Sequence, residues 1–139
     1  MRKISLDIAH AFKGGNKRFI SNTSTNGEKV YLHGNVIAKW NHDHDLVISM
    51  CDWPTPTTRE RINTLFYVLD IPFKVFQKDH GQFLKHQKAG VEYPFITDIS
   101  SGDHYRFHKQ KDLHSLFDTN QDVWHIKNME ANHEYLVRR

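Results

Sequence analysis

His42-Asp43-His44-Asp45 sets two imidazoles and two carboxylates in a row. Alternate residues of an extended segment face the same way, so these residue types at this spacing are what a metal site could start from. A His-x-His-x-Asp-His metal motif would need an aspartate where Leu46 stands and a further histidine after it. A polar turn between two strands accounts for the same residues, because Asn and Asp favour turns. No metal and no other cofactor is expected. His104 and His108 could exchange a proton in a metal-independent nuclease, yet with eleven histidines in the chain many such pairs can be drawn and none stands out. Cys51 follows Ile48-Ser49-Met50 and reads as a small buried residue rather than a nucleophile. A phosphate-binding glycine loop, a dinucleotide fingerprint and a His-Glu-x-x-His zinc helix are all missing from the sequence. No catalytic residue is therefore assigned, and a small histidine-dependent nuclease is the last of three functional readings.

Binding chemistry is better represented. Arg59-Glu60-Arg61 falls at a helix start, where free N–H groups and the positive dipole end favour anions. It follows the stiff turn Trp53-Pro54-Thr55-Pro56. Tryptophan and arginine are the residue types that most often anchor interfaces, so Trp53, Thr55, Arg59 and Arg61 form the leading candidate site, for a protein partner or a phosphate. The competing explanation is a capped, solvated helix end with its arginines in surface ion pairs. A second set, Lys74, Lys78, Lys85, Lys88, Tyr105, Arg106 and Lys109, interleaves basic and aromatic residues as single-strand binders do to stack bases and follow phosphates. Lysines on strands also guard sheet edges from pairing, and strand aromatics often face a core.

These residues need a scaffold. Ile4, Ile8 and Phe12 at spacing four, followed by Gly14-Gly15, predict a short helix over 4–13. From Arg18 to Cys51, apolar and β-branched runs alternate with turn residues such as Asn26-Gly27 and His33-Gly34-Asn35, which predicts an antiparallel meander. Thr57 with Glu60 matches a capping box, and Ile62, Leu65, Phe66 and Leu69 form one stripe of a helix over about 58–69, stopped by Ile71-Pro72. Residues 73–87 predict a hairpin turning at Asp79-His80-Gly81, with Phe73 and Val75 inward and Lys74 in water. Further strands are expected over Tyr93–Ile99 and His104–His108 across the Ser101-Gly102-Asp103 turn, then a helical turn or two at Leu113, Leu116 and Phe117, then a strand over Val123–Ile126. The last residues fit no single element. Helices and strands in this irregular order predict an α+β fold, mainly antiparallel.

At 139 residues one domain is expected. Hydrophobic residues make up only 38 % of the chain but aromatics reach 12 %, so the core should be rich in rings. No apolar stretch approaches the length of a membrane span, and residues 1–12 lack the apolar block of a signal peptide. The single cysteine rules out an intrachain disulfide and a cysteine-rich zinc site, which fits a reducing cytoplasm. A formal net charge of +3 permits a nucleic-acid partner without demanding one.

Tyr31-Leu32-His33-Gly34-Asn35-Val36-Ile37-Ala38, followed by Asp52-Trp53-Pro54-Thr55-Pro56-Thr57-Thr58-Arg59-Glu60-Arg61-Ile62-Asn63, resembles a pattern of small tailed-bacteriophage proteins, Leu-His-Gly-Asn-x-Ile-Ala and then Gly-Trp-Pro-Thr-x-Thr-Thr-Arg-Glu-Arg-Leu-Asn-Gly. The likeness spans about residues 20–66 and departs at Asp52 and Thr64. It implies a phage origin and a setting in the cytoplasm of an infected host cell. It carries over no catalytic residue, and it favours a non-enzymatic protein that binds a host or phage protein complex, as an inhibitor or adaptor in host takeover or anti-defence. Binding of RNA or single-stranded DNA comes next.

Overall fold

The computed structural model describes residues 1–42, 44–51, 53–87, 92–93, 105–111, 122–128 and 133–138. The first element is α1, Lys3–Lys13, whose buried residues Ser5, Ile8, Ala9 and Phe12 form one helical stripe. It stops where Gly14 donates its N–H to the His10 carbonyl and Gly15 enters the left-handed region at φ 73°. His10 and Lys13 lie in the last turn, where positive charge suits the dipole.

The meander follows as β1 (Arg18–Ile20), β2 (Thr23–Thr25), β3 (Lys29–Leu32), β4 (Asn35–Trp40) and β5 (Leu46–Ile48), each antiparallel to the next. Turn chemistry sets the registers. Between β3 and β4, His33 and Gly34 both have positive φ, the two-residue turn whose twist matches paired strands. Between β2 and β3, the Asn26 side chain accepts from the N–H groups of Glu28 and Lys29, at 2.9 and 2.8 Å. Gly27 beside it has φ 93°, and a Cβ there would sit 2.5 Å from the Gly15 carbonyl oxygen, so this position admits no side chain.

After β5 the chain leaves the sheet to form α2 (Pro56–Val68) and then a separate three-stranded sheet, β6 (Phe73–Lys78), β7 (Gly81–His86) and β8 (Glu92–Tyr93). Asp79 and His80 both adopt positive φ and make the tight β6–β7 turn. β9 (Tyr105–Lys111) then returns to pair with β5, and β10 (Asp122–Asn128) and β11 (His133–Arg138) complete an eight-stranded antiparallel sheet in the order β1-β2-β3-β4-β5-β9-β10-β11. The fold is α+β. Phe66 of α2 meets Phe107 of β9 edge-on at 5.0 Å, and Phe73 of β6 lies 5.8 Å from the same ring, so helix and both sheets share one core. Asn63 ties α2 to the open edge of β6: its amide donates to the Val75 carbonyl at 2.9 Å and accepts the Val75 N–H at 2.7 Å.

The α2 start differs from the capping-box expectation. Thr55 is the N-cap, its hydroxyl accepting from the Thr58 N–H at 3.2 Å, and Pro56 opens the helix at a position whose N–H would have no partner anyway. The cap therefore sits two residues earlier than Thr57. Glu60 does not reach back to it, because a buried arginine and two hydroxyls claim its carboxylate, as described below. In the second half of the chain, β9 and β10 cover most of the expected strands, and the ambiguous tail contains β11. Of the strand expected over Tyr93–Ile99 only Tyr93 is described; the remainder, His104, the 101–103 turn and the helical turn at Leu113, Leu116 and Phe117 lie outside the described residues. Among the described residues no helix is long and apolar enough to cross a membrane.

Candidate functional site

The described residues of the turn before α2 are held by several hydrogen bonds. Trp53 donates its N–H to the Met50 carbonyl at 2.9 Å, and its own carbonyl accepts from Thr55 N–H at 2.8 Å and from the Thr58 hydroxyl at 2.9 Å. Arg59 reaches back so that Nη1 donates to the Pro54 carbonyl at 2.8 Å, and the same nitrogen bonds Gln77 Oε1 at 3.0 Å and Gln82 Oε1 at 3.1 Å on the hairpin. Burial holds the Arg59 guanidinium below its ordinary value. Despite this bracing, the Trp53 side chain remains 59 % exposed. Backbone held by hydrogen bonds beneath a large exposed ring is an arrangement that lowers the ordering cost of binding.

Arg61, grouped with Trp53 and Arg59 in the sequence reading, is not on that surface. It is 3 % exposed and turned into the junction of α1, α2 and β2. Its Nε donates to Thr23 Oγ1 at 2.9 Å, Nη1 to Ser5 Oγ at 2.8 Å and to Glu60 Oε1 at 2.5 Å, and Nη2 to Asn22 Oδ1 at 3.3 Å. Ser5 donates to Glu60 in turn, and the Thr64 hydroxyl donates to Glu60 Oε2 at 2.8 Å. Burial works to raise the Glu60 carboxyl, but hydrogen bonds from Ser5, Thr64 and Arg61, with the Arg61 charge, outweigh it and hold the group below its ordinary value. Substituting Arg61 without harm to the fold, as an exposed interface residue would allow, is therefore ruled out. Thr55 is likewise occupied as a cap.

The second candidate set divides between the two sheets. On β6 and β7, Phe73, Val75, Leu84 and His86 face the core, which leaves Lys74, Phe76, Phe83 and Lys85 on the opposite face. Lys74 stands directly across from Lys85 and Phe76 from Phe83, whose rings are near-parallel at 5.7 Å. Lys78 closes the hairpin opposite Gly81. Arg106 is on β9 in the large sheet, paired with Asp45 at 3.6 Å. Its neighbour Phe107 meets Phe73 in the core, so Arg106 and Lys74 project away from that core on opposite sides. Tyr105 and Lys109 also belong to β9, and Lys88 lies outside the described residues. The hairpin lysines thus gather with two aromatics but not with Arg106. The outward placement of Phe76 was legible, since strict alternation from an inward Phe73 puts it on the face of Lys74.

His44 lies over Trp40 at 4.5 Å, and Trp40 over Phe12 at 5.0 Å, a stack of three rings at the end of α1. His42 and His44 also line an open pocket of about 570 Å³ beside Gly15, Gly27 and Glu28. Among the described residues no three His, Cys, Asp or Glu side chains come together as metal ligands. Cys51 is half-buried, with its thiol donating to the Val36 carbonyl.

The sequence profile described as the Kyanoviridae Gp96 protein family matches residues 1–105, which include α1, α2, the meander and the whole small sheet. No curated protein and no solved structure matches the chain.

Proposed function

The chain belongs to the Kyanoviridae Gp96 family of phage proteins, and from this premise we propose that it is a non-enzymatic accessory protein that binds a host or phage protein complex in the cytoplasm of the infected cell, as an inhibitor or adaptor. The observation that carries the reading is Trp53, an exposed ring on a turn whose backbone is tied to Met50, Thr55, Thr58 and Arg59. A tryptophan left 59 % exposed gains only part of its burial from the fold, whereas a partner pocket that covers the rest gains the remaining area of a large aromatic side chain. Arg59 ties the turn at Pro54 to Gln77 and Gln82 of the hairpin, and Arg61 ties the helix to Ser5 of α1 and Thr23 of β2.

The test is affinity capture from infected-host lysate after nuclease treatment, with wild type and Trp53→Ala compared by quantitative mass spectrometry. The reading expects one protein complex enriched by the wild type and depleted at least tenfold with Trp53→Ala. Equal recovery by both proteins would remove Trp53 as the anchor, and loss of all enrichment on nuclease treatment would remove the protein partner.

A further inference from the structure

We propose that the outward face of the β6–β7 hairpin is a platform for single-stranded nucleic acid, with bases stacking on Phe76 and Phe83 and phosphates passing Lys74, Lys78 and Lys85. This site is separate from the Trp53 turn and does not depend on it.

Three observations support the assignment. First, the register places Lys74 opposite Lys85 on the same face of an antiparallel pair, where like charges destabilise the sheet. Among the described residues neither lysine has a hydrogen-bond or ion-pair partner. Glu92 of β8 stands opposite Lys85 in register. An anion lying along β6 relieves that repulsion. Second, Phe76 sits between Lys74 and Lys78 on β6, each two residues from the next, which sets ring and charges about 7 Å apart along one line. Alternating ring and cation is what a chain of bases and phosphates requires, since every base has a face to stack and every phosphate a charge. Third, a Cβ at Gly81 would come within 3.1 Å of the Phe83 ring, so the ring occupies space that any side chain at 81 would contest. Phe83 is thereby laid along its strand beside Phe76. A sheet face with aromatics and basic residues is also how common RNA-binding modules hold unpaired bases. Duplex fits worse, because its bases are already stacked on one another.

The test is fluorescence anisotropy with a labelled twelve-nucleotide oligothymidylate, the corresponding duplex, and polyglutamate as competitor, over a range of salt. The wild type is expected to prefer the single strand, with affinity falling as salt rises. Phe76→Leu/Phe83→Leu should weaken binding about tenfold or more while the salt slope stays. Lys74→Gln/Lys85→Gln should weaken it and flatten the slope by about 1.4, two contacts at roughly 0.7 each for single strands. Lys74→Arg/Lys85→Arg should retain binding. The Gln pair should unfold no earlier in urea than wild type because the like-charge pair is gone, which separates lost binding from lost fold. No binding by folded wild type, equal affinity for duplex, or unchanged binding by both weakened variants would overturn the proposal. Displacement by polyglutamate at equal charge would assign the face to an acidic protein instead.

Discussion

Arg59 and Arg61 lie two residues apart on α2 and serve two regions that use polar chemistry in opposite ways. Around Arg61, a charged pair and three hydroxyls, those of Ser5, Thr23 and Thr64, are bonded to one another, locking α1, α2 and β2 together. Around Arg59, the bonds fix the backbone of a turn while its largest side chain stays in water. The first region stabilises; the second presents. The difference teaches that an arginine beside an exposed tryptophan is no guide to an interface until its burial is known, because i and i+2 on a helix lie on different faces.

The comparison makes the inner region the more sensitive to mutation. Arg61→Ala takes from the Glu60 carboxylate and from the Ser5 and Thr23 hydroxyls the donor that Arg61 supplies, at the junction of α1, α2 and β2. It should lower unfolding free energy by about 3 kcal/mol or more, read by urea denaturation. A loss under about 1 kcal/mol would put Arg61 in the same class as Arg59. The same region should carry a pH signature. Glu60 is held below its ordinary 4.5, so its contribution is complete above that value and fades as pH falls through the lower, folded value. The urea midpoints of wild type and Glu60→Gln should therefore differ most at neutral pH and converge as the pH falls below 4.5. A gap that stays constant would show that the carboxylate charge is irrelevant there.

The turn should respond less. Thr55→Ala removes the N-cap of α2 and should cost about 1 kcal/mol, visible in the same titration. Trp53→Ala should change stability by no more than about 0.5 kcal/mol, because the ring contributes little burial to the fold. A larger loss would move Trp53 from presentation to structure and erase the contrast between the regions.

The sequence showed elements more clearly than partners. The α2 stripe Ile62, Leu65, Phe66, the hairpin with its Asp79-His80 turn, and the glycine stop of α1 all depend on local spacing, and local spacing is what a sequence displays. The cap moved from Thr57 to Thr55 because Pro56 suits the first helical position and Glu60 was engaged by Ser5, 55 residues away. That engagement, like the Arg61 bonds to Thr23 and Asn22, is a long-range contact with no periodic trace. The small sheet also intervenes between β5 and its partner β9, so residues grouped by their nearness in sequence, Lys74 and Lys85 with Arg106, were sent to separate sheets. Trp53 was identifiable from the two prolines that follow it, Pro54 and Pro56, but its exposure was not.

The most direct test of the account is site-specific crosslinking with a photoreactive benzoyl-phenylalanine in place of Trp53 and, in a second protein, in place of Tyr67, which is comparably exposed on the same helix-turn unit but lies at the far end of α2. In nuclease-treated lysate of infected cells, the account predicts a discrete protein adduct from position 53 and none from position 67. An adduct from position 67 with none from position 53 would contradict it.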